Sequence, residues 1–342
     1  MKVSVIIVNW NRKKLLNACL DSLIVQSFKN FEIIVVDNGS TDGSNEMIRK
    51  KFQQIKLIEL RKNTGFCYAN NIGIKKAKGE YIALLNNDTE VETDWLSELV
   101  KTLDSNSNYS FASSKMICMT DKTKIDRVAD SFTTSCFMFG LGSGDNAAKE
   151  YLTSFEIFGV CGGAAFFRRE IFDTIGYFDE RYFAYLEDLD LNLRMAHAGF
   201  KGIYVPKAIV YHLGGATSDG MKNPRVIRNT IRNLWFTLSK NVPVSVGFKI
   251  APRVLIYHFY WMIKFKCFWK YIFAWLSYVV QEPRVYPDRF RIMRNSVLSS
   301  DDFYKILLRE DKRVFDYLNR QSIKNTGKEI SGFWRWIFHQ SE

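Results

Sequence analysis

The sequence predicts an α/β fold: a mostly parallel sheet flanked by helices, followed by a C-terminal helical extension. Two observations carry the sheet. Near-continuous apolar runs (VSVIIV at 3–8, EIIVVD at 32–37, YIALLNND at 81–88) alternate with stretches of helical apolar spacing. Strands read this way when helices bury them on both faces, as in parallel sheets. A third observation separates the extension. Residues 1–221 hold 26 Lys+Arg against 27 Asp+Glu, a net of −1, whereas 222–342 hold 22 against 9, a net of +13.

Taken in order, the first β-branched run is a strand, and LLNACLDSLIVQ (15–26) is a helix leading to the second strand, which makes a βαβ unit. NGSTDGSNEMIRKKF (38–52) is a turn running into a helix, KLIELR (56–61) a strand, NTGFCYANNIGIKKA (63–77) the start of another helix, and YIALLNND the fourth strand. From 105 to 160, Ser, Thr, Gly and Asn are mixed among short apolar runs such as CFMFGLG, and no element can be placed. Structure returns with VCGGAAFFRREIFDTIGYFDE (160–180) and with YLEDLDLNLR (185–194), a helix with Leu186, Leu189, Leu193 and Ala196 on one stripe. The strand-like GIYVPKAIVYH (202–212) follows.

In the extension, residues 254–280 hold 11 aromatics among 27 residues, but Lys264, Lys266 and Lys270 interrupt them. A membrane-spanning helix needs about 20 predominantly apolar residues. Two readings stay open: helices lying in a membrane interface with snorkelling lysines, or a buried pair packed on the main domain. The basic balance favours an anionic membrane surface. Six cysteines (19, 67, 118, 136, 161, 267) form no CxxC pair, and KVSVIIVNWN lacks the h-region and cleavage site of a signal peptide. A cytoplasmic protein in a reducing compartment is expected.

Ligands of parallel sheets sit at the carboxyl ends of the strands. Those ends carry Asn9, Trp10 and Asn11; Asp37 and Asn38; Asn63; and Asn86, Asn87 and Asp88. Any one of these could be turn chemistry, but four in succession suggest a polar cleft. In YLEDLDLNLR, Asp190 and Arg194 are four apart and can pair, while Asp188 has only Leu191 and Asn192 at those spacings. Either Asp188 simply suits a helix N-terminus, or it is a carboxylate available as a general base.

The ordered set VSVIIVNWN, IIVVDNGSTDGS, RKNTGFCYANNIG, YIALLNNDTEV, GGAAFFRREIFDTIGYFDERYFAYLEDLDLNLRMAHAGF and IYVPKAIVYHLGG resembles the family 2 glycosyltransferases, and most closely their rhamnosyltransferase-like branch. The resemblance covers about residues 1–220. It implies the GT-A fold, a Rossmann-like sheet; a nucleotide-diphosphate sugar donor, dTDP- or UDP-linked; and inversion at the anomeric carbon.

By that resemblance Asp37 binds the nucleotide's base or ribose beside the loop Val8 to Asn11, including Asn9. Asn63 and Asn71 line the donor pocket, with Asn87 near them. The family's DxD stands here as NND, so Asp88 is matched while Asn86 replaces the first aspartate. His212 is the second anchor for Mg2+ or Mn2+. Asp188 is the base, and Glu187 orients base or acceptor. Gly162 and Gly163 are small enough either to let sugar or diphosphate approach closely or to serve helix packing. The expected organisation is a glycosyltransferase domain at 1–222, with its nucleotide-sugar half at about 1–100 and its acceptor half at about 101–222, followed by the extension at 223–342. The acceptor is expected to be a lipid-linked chain or polysaccharide. The protein would sit peripherally on the inner face of the cell membrane through 250–342, bind no nucleic acid, and could form a homodimer. A nucleotidyltransferase would share the nucleotide site but shows a Gly-rich basic loop after the first strand, which VNWNRKK is not. A basic membrane-binding or nucleic-acid-binding protein without catalysis is the other competing class; no nucleic-acid motif is present, and Asp88, Asp188 and His212 speak for catalysis.

Overall fold

The computed structural model describes residues 1–214, 223–264 and 268–338; Lys266, Cys267 and the boundary at 222 lie outside them. The first half is strand β1 (Val3–Asn9), helix α1 (Lys13–Ile24), β2 (Phe31–Asp37), α2 (Ser44–Lys51), β3 (Lys56–Glu59), α3 (Phe66–Lys76) and β4 (Tyr81–Leu85). β1 lies parallel between β2 and β4, and β3 extends the sheet beyond β2. Successive β1 side chains serve opposite cores. Val3, Val5 and Ile7 join Leu16, Leu20 and Leu23 of α1, whereas Ile6 joins Cys67 and Ile74 of α3. Two buried faces explain the continuous apolar run.

The second half comprises β5 (Thr89–Val91), α4 (Trp95–Asp104), β6 (Phe111–Cys118), β7 (Ile125–Arg127), β8 (Ala129–Phe132), β9 (Met138–Leu141), β10 (Glu156–Ile157), β11 (Ala164–Arg168), α5 (Glu170–Ile175), α6 (Glu187–His197) and β12 (Gly202–His212). The main sheet runs β10-β12-β6-β11-β4-β1-β2-β3, with β5 paired to β12 and β7 to β6. β12 and β6 are parallel, and β11 is antiparallel between β6 and β4. The amino end of β11 therefore meets the carboxyl ends of β1, β2, β4, β6 and β12 at one edge. β6 escaped the sequence pattern because Ser113, Ser114 and Lys115 interrupt a buried strand. Each is satisfied locally: Ser113 Oγ donates to the Val128 carbonyl, Ser114 Oγ accepts from Trp95 Nε1, and Lys115 Nζ donates to the carbonyls of Ala147 and Glu150.

The extension forms α7 (Pro224–Asn241), α8 (Val244–Lys264), α9 (Phe268–Gln281), α10 (Tyr286–Arg294), α11 (Ser300–Thr326) and α12 (Gly332–Ile337). Asn223 caps α7 by accepting from the Arg225 amide, with Pro224 in the first turn. Ser299 caps α11 through the Asp302 amide. One apolar cluster contains Leu189 and Leu193 of α6, Leu234 and Phe236 of α7, and Phe303, Leu307 and Val314 of α11, so the extension and the preceding domain share a core. The packing alternative for the extension is thus realised on one side of its helices.

The leucine stripe is not the only packed side of α6. Its helical turn begins at Glu187, after Leu186 in the left-handed region (φ 64°), and its polar side is covered. Asp190 has no exposed surface. It pairs with Arg194 at 3.0 Å, as the spacing predicts, and also with Lys240 Nζ at 2.9 Å and Asn241 Nδ2 at 2.9 Å, both from α7.

Candidate active site

Three strand ends are tied side chain to side chain. Asn87, after β4, donates to Asn9 Oδ1 at 2.7 Å, and Asn9 Nδ2 donates to Asp37 Oδ1 at 3.1 Å and to Ser40 Oγ at 3.2 Å. Asp37 Oδ2 also accepts from the Ser40 amide and from Asn45. Asn11, with φ 51°, donates its amide to Ser40 Oγ and accepts from the Thr41 amide. Asn63 Oδ1 accepts from Asn38 Nδ2 and from the Gly65 amide, and Val8 packs with Ile34, Val36 and Ala69. Asn9, Asn11, Asp37, Asn63 and Asn87 thus fall at one edge, with Asn9 fully buried as the brace between its neighbours.

Asn71 has a different position from the one expected. Its Nδ2 donates to the Phe178 carbonyl and to Glu180 Oε1, and its Oδ1 accepts from the Phe178 amide. It is a buried clamp between α3 and the segment before α6, with its amide committed within the protein.

At the other end of the edge, His212 Nε2 lies 3.5 Å from Asp88 Oδ1, and its Nδ1 lies 2.9 Å from Asp126 Oδ2. Burial opposes a charge on the imidazole, but hydrogen bonds to Asp126 and Asp88 outweigh it and lift its pKa to about 9. Asp126 is a residue that the sequence reading missed. By accepting a hydrogen bond from Nδ1–H it leaves Nε2 facing Asp88, the arrangement that orients a metal-ligating histidine. One carboxylate and one imidazole set this way fit an octahedral cation such as Mg2+ or Mn2+ that completes its shell with further oxygen ligands.

Asp188 opens α6, half-buried, with its own Oδ1 accepting from the Leu189 amide at 2.8 Å and the Gly162 amide also turned toward it. Burial raises its pKa, while Arg127 of β7 and these amides hold it down. Arg127 is the cation that the helix itself lacks. Its NH1 pairs with Asp130 Oδ1 at 2.7 Å, and Asp130 Oδ2, fully buried, has no hydrogen-bond partner among the described residues. Among the described residues, ligand atoms of Asp130, Cys161 and Asp188 come within 4.8 Å of one another. Burial pushes the Cys161 thiol up to about 12 and Asp130 to about 6. A protonated thiol is a poor ligand for a hard cation and Arg127 already supplies positive charge, so this cluster has the character of an acid–base group.

Glu187 is buried beside Asp188, with Oε2 unpaired among the described residues; burial and the Asp188 charge lift it to about 8. Phe183, Tyr185 and Leu186 before it all have positive φ, at 63°, 76° and 64°. The strain is held from outside: Asn233 of α7 donates to the carbonyls of Tyr182, Ala184 and Tyr185, and the Phe66 amide donates to the Phe183 carbonyl at 2.7 Å. A Cβ on Gly65 would lie 2.6 Å from the Phe183 ring, so this approach requires glycine. At the start of β11, the carbonyl of Gly163 accepts from the Asn86 amide, and a Cβ on Gly162 would stand 4.0 Å from Asp188 Cβ.

β7 joins the two groups. Asp126 serves His212, its neighbour Arg127 serves Asp130 and Asp188, and all three come from the stretch whose pattern could not be read. The only local trace is KIDRVAD, in which charges alternate with the buried Ile125, Val128 and Ala129.

The chain belongs to the glycosyl transferase family 2, whose model matches residues 4–176. Among curated proteins it is 39% identical over 106 residues to glycosyltransferase GlyA of Streptococcus pneumoniae, a match spanning 30% of this chain and 15% of GlyA. It is 26% identical over 243 residues to protein y4gI of Sinorhizobium fredii, covering 65% of this chain and 25% of that one. These matches thus span small parts of the relatives. Solved structures with the same fold include GalNAc-T7 with UDP, GalNAc and Mn2+ (TM-score 0.58, 18% identity, 70% of this chain and 48% of that one). The mannosyltransferase PcManGT of Pyrobaculum calidifontis with GDP-Man and Mn2+ matches 99% of this chain and 85% of its own (TM-score 0.52, 17% identity). The GT-A arrangement expected from the motifs is the observed fold.

Proposed function

We propose that the protein transfers a sugar, with inversion, from a UDP- or dTDP-linked donor to a hydroxyl of a lipid-linked or polysaccharide acceptor, rhamnose being the sugar that its motifs favour. The observation that carries the reading is the single sheet edge on which Asp37, the Asp88 and His212 pair and the half-open Asp188 all lie, joined through β7.

In this reading Asp37 holds the base or ribose. Asp88 and His212 would hold Mg2+ or Mn2+, which when bound supplies positive charge to the departing diphosphate. Asp188 accepts the proton of the attacking hydroxyl on the opposite face of the sugar. Burial gives it the basicity for that step, and partial exposure gives it access. Glu187, held largely protonated at neutral pH, donates a hydrogen bond that orients the base or the acceptor.

Thermal unfolding against a panel of nucleotide sugars with Mn2+ tests this. A true donor at a hundred times its Kd stabilises the protein by about 2.7 kcal/mol. If no nucleotide or nucleotide sugar shifts the transition, the reading falls.

A further inference from the structure

One surface of the described residues is left unused by the fold. α8 buries Val246, Ile250, Val254 and Tyr257, and presents Phe248, Leu255, Phe259 and Ile263 on another side, with Phe248 79% exposed. α9 packs Ala274 against Ile227 and Ile231 of α7 while exposing Trp269 (68%), Phe273 and Val280. Exposed apolar faces of this extent mark interaction sites. Their spacing is that of helices lying along a surface, and no described helix is long and apolar enough to cross a membrane.

Charge selects the occupant. The described cations of α8 and α9, Lys249, Arg253, Lys264 and Lys270, all reach the surface, and neither helix carries an Asp or Glu. A second copy docked face to face would set these cations against one another, and a polyanion without apolar groups would leave the rings in water. An anionic bilayer meets both demands, with acyl chains for the rings and headgroups for the cations.

We infer that α8 and α9 form a docking surface for an anionic lipid bilayer and lie in its headgroup region. This narrows the expected contact from 250–342 to α8 and α9 themselves, Val244–Lys264 and Phe268–Gln281. α11 lies outside it, packed into the core and bearing Asp301, Asp302, Glu310, Asp311 and Asp316. The inference stands on surface chemistry and does not depend on the transfer reaction.

The test is flotation of the full chain with vesicles of phosphatidylglycerol and phosphatidylcholine, against phosphatidylcholine alone. Binding should be stronger on the anionic vesicles by about tenfold or more. Phe259→Ser with Trp269→Ser, and separately Lys264→Gln with Lys270→Gln, should each weaken it by about tenfold or more. An unchanged thermal transition would show that the variants are folded. The inference is overturned if the full chain stays in buffer, if both folded variants float like the parent, or if light scattering finds a dimer that the Phe259 and Trp269 changes dissolve.

Discussion

Asp188 and Asp190 stand two residues apart on α6, and their surroundings push them in opposite directions. Asp190 faces α7, where burial would raise its pKa but Lys240 and Arg194 outweigh burial and hold it below the ordinary carboxylate range. Asp188 faces β7, where its cation, Arg127, is shared with Asp130, and burial prevails. Burial alone thus does not decide a carboxylate's fate; the number of cations left over does. One turn of helix holds a structural ion pair on one side and a candidate base on the other.

The contrast can be broken most severely at the base. Asp188→Asn should lower kcat by about 10²–10⁴-fold, while the stabilisation given by donor and Mn2+ persists; near-normal turnover would remove Asp188 from the proposed role. Asp190→Asn should do the reverse. With Lys240 and Arg194 left short of a buried counter-charge, stability should drop by about 3–5 kcal/mol in denaturant unfolding, and a loss under 1 kcal/mol would show that the network is dispensable.

The finest test is at Asp130. Asp130→Asn removes a negative neighbour and leaves Arg127 to Asp188, which lowers the base's pKa. Because the base works deprotonated, the acid limb of kcat/KM should move to lower pH, and the rate at neutral pH should fall modestly. A limb that stays in place, or moves to higher pH, would show that Asp130 does not tune Asp188.

The two halves of the edge were not equally legible. Asn9, Asp37, Asn87 and Asp88 could be read because each follows an apolar run whose length alone marks a buried strand. Asp126, Arg127 and Asp130 could not, since β7 and β8 have only three and four residues and no period can be recognised over that length. Asp190 was correctly paired with Arg194, but its further partners, Lys240 and Asn241, come from a helix that begins after the domain motifs end. Asn71 illustrates the opposite error. A polar residue inside a recognised motif was read as ligand-facing, yet it bonds to the peptide of Phe178.

Asn233 pins three carbonyls of the strained segment that delivers Glu187 and Asp188, and it lies beyond residue 176, where the family match stops. The part of the chain that marks its ancestry and the part that shapes its chemistry therefore overlap only partly. Exchanging the matched segment between relatives would carry over Asp37, Asp88, Asp126 and Arg127 but leave Asp188, His212 and Asn233 with the recipient. A successful graft would have to include α7 as well.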